Sequence, residues 1–154
     1  MILLVGNWKM APNKDTEALT LAKKIFLSAK TYKKNINTIL CVPSIHLSLL
    51  KKNIKSVVSI GGQGVAPSEE VAQTGLINSS MLKSYGAQYC IVGHSESRSR
   101  GEDDNQVLSS TLLLLQKNIT PIICIGERER DNHGWYLSSV KDQVEKVGCS
   151  VPRV

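Results

Sequence analysis

Tyr89-Cys90-Ile91-Val92-Gly93-His94-Ser95-Glu96-Ser97-Arg98 is the stretch on which the fold turns. Its apolar start, bounded by a glycine, reads as a short buried strand. A histidine stands at the carboxyl end of that strand, and Ser95-Glu96 is able to open a helix. In α/β proteins the carboxyl end of a buried strand beside a helix start is where chemistry gathers. The competing reading is a core histidine with a satisfied hydrogen bond, and this stretch alone does not separate the two.

Its neighbours repeat the pattern. Upstream lie three short apolar runs, Ile2 to Val5, Thr38 to Val42 and Val57 to Ile60, and downstream one more, Pro121 to Ile125. Each stops at Gly or Pro. Between them the apolar positions fall at helical spacing: Ala18, Leu19, Ala22, Ile25, Phe26 and Ala29 in a helix over 16–29 with Asn13 and Asp15 as candidate caps. A short helix capped by Ser44 runs through Lys52, another spans Ser79 to Tyr85 and stops at Gly86, and a further one spans Asp104 to Lys117. A last helix should carry Leu137, Val140, Val144 and Val147 on one face. A long polar loop, about Gln63 to Asn78, joins the third strand to the helix at Ser79.

Strand then helix, five times over, with strands that are nearly all apolar, predicts a parallel sheet buried on both faces and wrapped by helices. The strands then share one direction, and their carboxyl ends form one rim. That rim should hold Asn7, Lys9, Gly61 to Gln63, His94 and Glu127. A lysine and a histidine converging there suit proton transfer on an anionic substrate.

Composition narrows the classes. The chain has 154 residues, which fits a single domain, 1–154, and 42% of them are apolar. Nineteen Lys+Arg against thirteen Asp+Glu give a net charge of +6, an attraction for anions. The pairs Lys23-Lys24, Lys33-Lys34 and Lys51-Lys52 do not interleave with aromatic residues, so they read as solvated helix faces and not as a nucleic-acid groove. Cys41, Cys90, Cys124 and Cys149 form no C-x-x-C pair, which argues against a zinc or dithiol motif and for buried thiols in a reducing compartment such as the cytoplasm. No apolar run is long enough for a membrane span, and the short start Met1 to Gly6 reads as a strand, not a signal peptide.

Four motifs then carry a resemblance. Val5-Gly6-Asn7-Trp8-Lys9-Met10 resembles the opening motif of the triosephosphate isomerase family, and Val92 to Arg98 resembles its catalytic-histidine motif. Cys124-Ile125-Gly126-Glu127 resembles its fifth-strand motif, and Gln73-Thr74-Gly75 its dimer loop. The resemblance implies a (β/α)8 barrel that interconverts dihydroxyacetone phosphate and glyceraldehyde 3-phosphate, in glycolysis and gluconeogenesis, without a cofactor or metal. It implies that Lys9 supplies positive charge to the substrate, Asn7 orients that lysine and the substrate oxygen, and His94 is a neutral electrophile beside a helix N-terminus. Glu96 corresponds to a rim carboxylate near both, while Glu127 reads as an ion-pair partner.

The departures are as informative. Such barrels need about 250 residues. Five units end before the family's sixth strand, which carries the carboxylate that abstracts the carbon-bound proton, and before its phosphate loops. The chain is therefore expected to be a partial barrel, weakly active or inactive by itself, with Glu127 and Glu129 as poor substitutes for the base. Leu76 and Ser97 replace a glutamate and an arginine that pair across subunits in the family. Three outcomes are open for the sheet edges: self-association, completion by another chain carrying the missing strands, or a marginally folded truncated product, the first being preferred. The functional alternatives are an isomerase, a non-catalytic self-assembling fragment of that fold, and a basic anion- or nucleic-acid-binding protein.

Overall fold

Alternation of short apolar runs with amphipathic segments produces five strands and six α-helices in a computed structural model that describes residues 2–54, 57–127 and 129–148. In chain order they are β1 (Ile2–Asn7), α1 (Asp15–Tyr32), β2 (Ile36–Cys41), α2 (Ser44–Asn53), β3 (Val58–Gly62) and α3 (Ser79–Ser84). There follow β4 (Tyr89–Val92), α4 (Ser95–Ser99), α5 (Asp104–Gln116), β5 (Thr120–Ile123) and α6 (Trp135–Gln143), which runs into a π-helical turn, Val144–Gly148. The strands form one curled, wholly parallel sheet in the order β1-β2-β3-β4-β5, a half-barrel with the helices outside. The expected partial (β/α)8 barrel is the architecture found.

Strand periodicity divides the side chains between two layers. Outward-facing Leu40, Ile60, Cys90 and Val92 meet Ala22, Leu47, Leu50, Leu82, Val107, Leu114 and Ile119 in the main core. The inner face holds a smaller cluster, Ile39, Cys41 and Ile91, flanked by Tyr89, Ile122 and Cys124. Ile39 and Cys41 are fully buried although the sheet is open. Gly61 explains this: a Cβ there would stand 2.9 Å from Cys41 Sγ and 3.0 Å from the Tyr89 carbonyl. With only hydrogen in that place, the side chains of β2 and β4 close over β3. Across the same face, Asn37 Nδ2 donates to the Tyr89 hydroxyl at 3.3 Å.

Several local expectations are corrected. β1 is not buried: Ile2, Leu3 and Leu4 are 57–64% exposed. It pairs with β2 alone among the described residues, and α1 lies over β2 and α2, so little covers either face of β1. β5 is likewise only half-buried. Neither Asn13 nor Asp15 caps α1; Lys14 takes that place without a side-chain bond, because the Asp15 carboxylate is turned to His46. Pro43, not Ser44, precedes α2. The final apolar stripe is split: Val147 is buried, but Leu137 on α6 and Val144 at the start of the π-turn are exposed, and it is Gln143 that is buried one turn before Val147.

Other local chemistry behaves as its residues dictate. Asp103 and Gln106 close a capping box at α5, Asn78 caps α3, and Gly86 turns the chain after α3 at φ 89°. The lysine pairs are exposed, as a solvated face requires. Cys41 and Cys90 are buried and Cys124 half-buried, all three unbridged, whereas Cys149 lies outside the described residues. No helix among the described residues is long and apolar enough to cross a membrane.

Candidate active site

The carboxyl ends of β1, β3 and β4 bring together Asn7, Lys9, His94 and Glu96, and with them Gln63, expected at the rim but with no role assigned. After β1, the Trp8 amide donates to the Cys41 carbonyl at 2.9 Å, keeping the chain against β2. The next residue, Lys9, has φ 53°, a left-handed backbone that is uncommon for a side chain of this kind. Its amide donates to Asn7 Oδ1 at 2.9 Å, an Asx-type turn. Asn7 thus acts on the backbone that carries the lysine.

From this turn the Lys9 ammonium reaches across the mouth and donates to Glu96 Oε1 at 2.6 Å. That hydrogen bond, outweighing slight desolvation and helped by the charges of Lys9 and Arg100, holds the Glu96 carboxyl below the ordinary carboxylate range. Lys9 and Glu96 remain 59% and 51% exposed, so the pair is open to an incoming anion.

His94 caps α4. Its Nδ1 accepts the Glu96 amide at 3.2 Å. Glu96 Oε2 lies 3.6 Å from the same nitrogen, but a nitrogen that accepts an N–H has no proton to give the carboxylate. The ring proton accordingly sits on Nε2, leaving that nitrogen as the donor toward a ligand. The imidazole is a quarter exposed.

Gly93 and its partners form the platform beneath His94. Gly93 adopts φ 69°, and a Cβ on it would meet Arg98 Nη2 at 3.0 Å and the Cys124 carbonyl at 3.1 Å. Its amide donates to Glu102 Oε2 at 3.1 Å, and its carbonyl accepts from Arg98 Nε at 2.8 Å. Arg98 in turn pairs with Asp104. Burial pushes the Glu102 carboxyl up, against the hydrogen bond from Gly93 and the charge of Arg98. Asp104 thus holds the arginine that holds the histidine turn, while Arg98 Nη2, buried beside Gly93, has no hydrogen-bond partner.

Glu127 is not brought to the pair. It binds Arg130, three residues on, at 2.5 Å. Gln73, Thr74 and Gly75 stand on the loop between β3 and α3, where Gln73 Nε2 donates to Ser68 Oγ at 2.7 Å and Gly75 turns at φ 84°. Leu76 and Ser97 both line a cavity of about 440 Å³ between this loop and the region of α4 and the segment that follows it.

The sequence reads Gln63 as a rim residue without a role; its Nε2 faces Asn7 Oδ1 at 3.2 Å, the Lys9 carbonyl at 2.9 Å and the Cys41 carbonyl at 3.1 Å. A second residue is not singled out by the sequence. His46 is fully buried in α2, with Nδ1 2.9 Å from Asp15 Oδ1 and Nε2 2.9 Å from the Pro12 carbonyl, so it staples the segment after Lys9 to α2. Its spacing with Leu47, Leu50 and Ile54 on the buried side of that helix was the available signal.

A parallel half-barrel with a lysine, a histidine and a carboxylate at its carboxyl rim is the layout of a barrel-type α/β protein. The chain belongs to the triosephosphate isomerase family: the family model described as triosephosphate isomerase matches residues 2–152. It is 39% identical over 127 residues to triosephosphate isomerase of Cytophaga hutchinsonii, covering 81% of this chain and 50% of that protein. It is 37% identical over 154 residues to the protein of the same name from Ruthia magnifica, covering 96% of this chain and 61% of the relative. A third, from Porphyromonas gingivalis, is 34% identical over 149 residues, covering 94% and 59%. The chain thus spans about half to three-fifths of the length of the curated relatives it matches.

Proposed function

We propose that these residues form the carbonyl-polarising half of a triosephosphate isomerase site, acting on dihydroxyacetone phosphate and glyceraldehyde 3-phosphate. The observation that carries the reading is the Lys9–Glu96 contact at 2.6 Å beside a histidine whose Nδ1 is committed to its own helix. An incoming substrate, doubly anionic at its phosphate, competes with Glu96 for the Lys9 ammonium. Its carbonyl oxygen then lies between Lys9 Nζ and His94 Nε2. As a proton leaves the neighbouring carbon, charge develops on that oxygen, where a cation and an N–H donor stabilise it. His94 next passes its Nε2 proton to one enediolate oxygen and takes one back from the other. Asn7 keeps the lysine in place throughout.

The carbon proton needs a base. Among the described residues, the carboxylates nearest this rim are engaged: Glu96 by Lys9, Glu102 by the Gly93 amide, and Glu127 by Arg130. General-base catalysis is worth about 10²–10⁴-fold. The 154-residue polypeptide taken by itself is therefore expected to turn over weakly or not at all. The exposure of Ile2, Leu3 and Leu4 favours a second reading beside the first: a single-domain, non-catalytic fragment of the fold that self-assembles, with the Gln73-Thr74-Gly75 loop meeting another copy. Unbridged thiols suit a cytoplasmic setting, and the substrate suits a place in glycolysis and gluconeogenesis.

A coupled isomerase assay on the polypeptide, together with NMR titration by dihydroxyacetone phosphate, tests the proposal. The substrate should perturb the His94 ring and Lys9 signals, and any turnover should be lost in His94→Gln. Unperturbed signals, or turnover indifferent to His94→Gln, would refute it.

A further inference from the structure

Lys9 is held in a conformation that its own chemistry disfavours. Its φ of 53° crowds the side chain against the backbone, and such residues persist only where the surroundings over-determine them. Two groups do so here. Asn7 Oδ1 takes the Lys9 N–H at 2.9 Å, and Gln63 Nε2 donates to the Lys9 carbonyl at 2.9 Å. The same Nε2 faces Asn7 Oδ1 at 3.2 Å and the Cys41 carbonyl at 3.1 Å. One amide nitrogen thereby ties the end of β1, the end of β2 and the turn at Lys9 together. The three facing atoms are all acceptors, which fixes the amide's orientation: only the NH2 side fits.

Gln63 reaches this position because Gly61 and Gly62 precede it. A Cβ at Gly62 would lie 3.0 Å from a Leu82 methyl, and one at Gly61 would strike Cys41 and Tyr89. The two glycines let β3 lie close between its neighbours, and Gln63 leaves it directly under the Lys9 turn.

We infer that Gln63 is a positioning residue for Lys9: its side-chain amide locks the left-handed backbone of Lys9 and so directs the ammonium across the mouth to Glu96 beside His94. The inference rests on the reading of Lys9, His94 and Glu96 as the site. A shape-conserving methionine at 63 keeps the bulk and loses the donors. A glutamate there would set carboxylate oxygens against three acceptors.

The test follows the Glu96 carboxyl by NMR across an acid titration of the 154-residue chain, in the wild type, Gln63→Met and Lys9→Met. Glu96 titrates low because Lys9 donates to it. Lys9→Met should raise its midpoint toward the ordinary glutamate value. Gln63→Met should raise it in the same direction, with loss of the left-handed signature in the Lys9 backbone shifts. A Glu96 midpoint that moves in Lys9→Met but not in Gln63→Met overturns the positioning role and leaves the site reading intact. A midpoint that moves in neither overturns the Lys9–Glu96 pairing, and the site reading with it. Gln63→Asn, which keeps a shortened amide, gives a smaller shift in the same direction and stands in if Gln63→Met does not fold; an unmoved midpoint there also counts against the role.

Discussion

Gly61→Ala places a single methyl where the inner face of the sheet has no room. The added Cβ would lie 2.9 Å from Cys41 Sγ, 3.0 Å from the Tyr89 carbonyl oxygen and 3.2 Å from Tyr89 Cβ. Favourable contacts between heavy atoms begin near 3.5 Å. Cys41 is fully buried and cannot swing into solvent, and Tyr89 is held by pairing with Thr120 on β5. Relief therefore requires β3 to move away from β2 and β4. Overpacking of this kind costs about 1–3 kcal/mol. For a chain of this size each kcal/mol lowers Tm by about 2–4 °C, so the expected fall is about 2–12 °C. Thermal unfolding followed by circular dichroism, on the wild type, Gly61→Ala, Cys41→Ala and the double variant, supplies the assay. Removing the sulfur takes away one of the clashes and leaves those with Tyr89. The cost of the alanine should therefore shrink in the Cys41→Ala background without vanishing. A Gly61→Ala protein that melts with the wild type, or a cost indifferent to Cys41, would refute the account of how the inner face is packed.

Two further outcomes concern titration. Burial first, and then Cys124, push the Cys41 thiol from its ordinary 9.0 up to about 12. A thiol that stays neutral in the fold but ionises when unfolded contributes stability that is intact below pH 9.0 and declines between there and about 12. Alkaline unfolding curves should be flatter for Cys41→Ala, and an aromatic disulfide reagent should modify Cys41 only on unfolding; rapid modification of native Cys41 would count against its burial. For Glu69, burial acts to raise the carboxyl, but hydrogen bonds from Ser79 and Ser80 prevail and hold it below its ordinary 4.5. Its contribution is then present above pH 4.5 and lost as pH falls through the lower folded value. Glu69→Gln should blunt that acid loss and open the loop before α3 to limited proteolysis at neutral pH, whereas an unchanged digestion pattern would show that Glu69 does not anchor the loop.

Much of the fold was legible because strand and helix periods are local properties. The run from Tyr89 to Val92, the glycine that ends it and the histidine after it are all where the sequence put them. Burial is different, since it belongs to neighbours. Ile2 to Val5 reads as a core strand, yet it lies open because only β2 pairs with it among the described residues. Helix starts failed where a side chain found a better partner at long range, as Asp15 did with His46. Within the site, Lys9, His94 and Glu96 carry recognisable chemistry in recognisable motifs. Gln63 does not, because its three acceptors come from segments far apart in the chain, two of them backbone carbonyls that no residue type announces.

The order of the sheet is also the order of the chain. After β1, each strand pairs with the one made just before it, across one helix or, between β4 and β5, two, so among the described residues no pairing waits on a distant partner. Sequence separation between contacting strands stays short for a parallel sheet, which favours fast pairing. During synthesis the sheet can then lengthen vectorially, one unit docking on the last as the polypeptide leaves the ribosome. The half-site matures on the same schedule: Lys9 and Gln63 meet once β3 has docked, and Glu96 closes the pair only after β4 arrives.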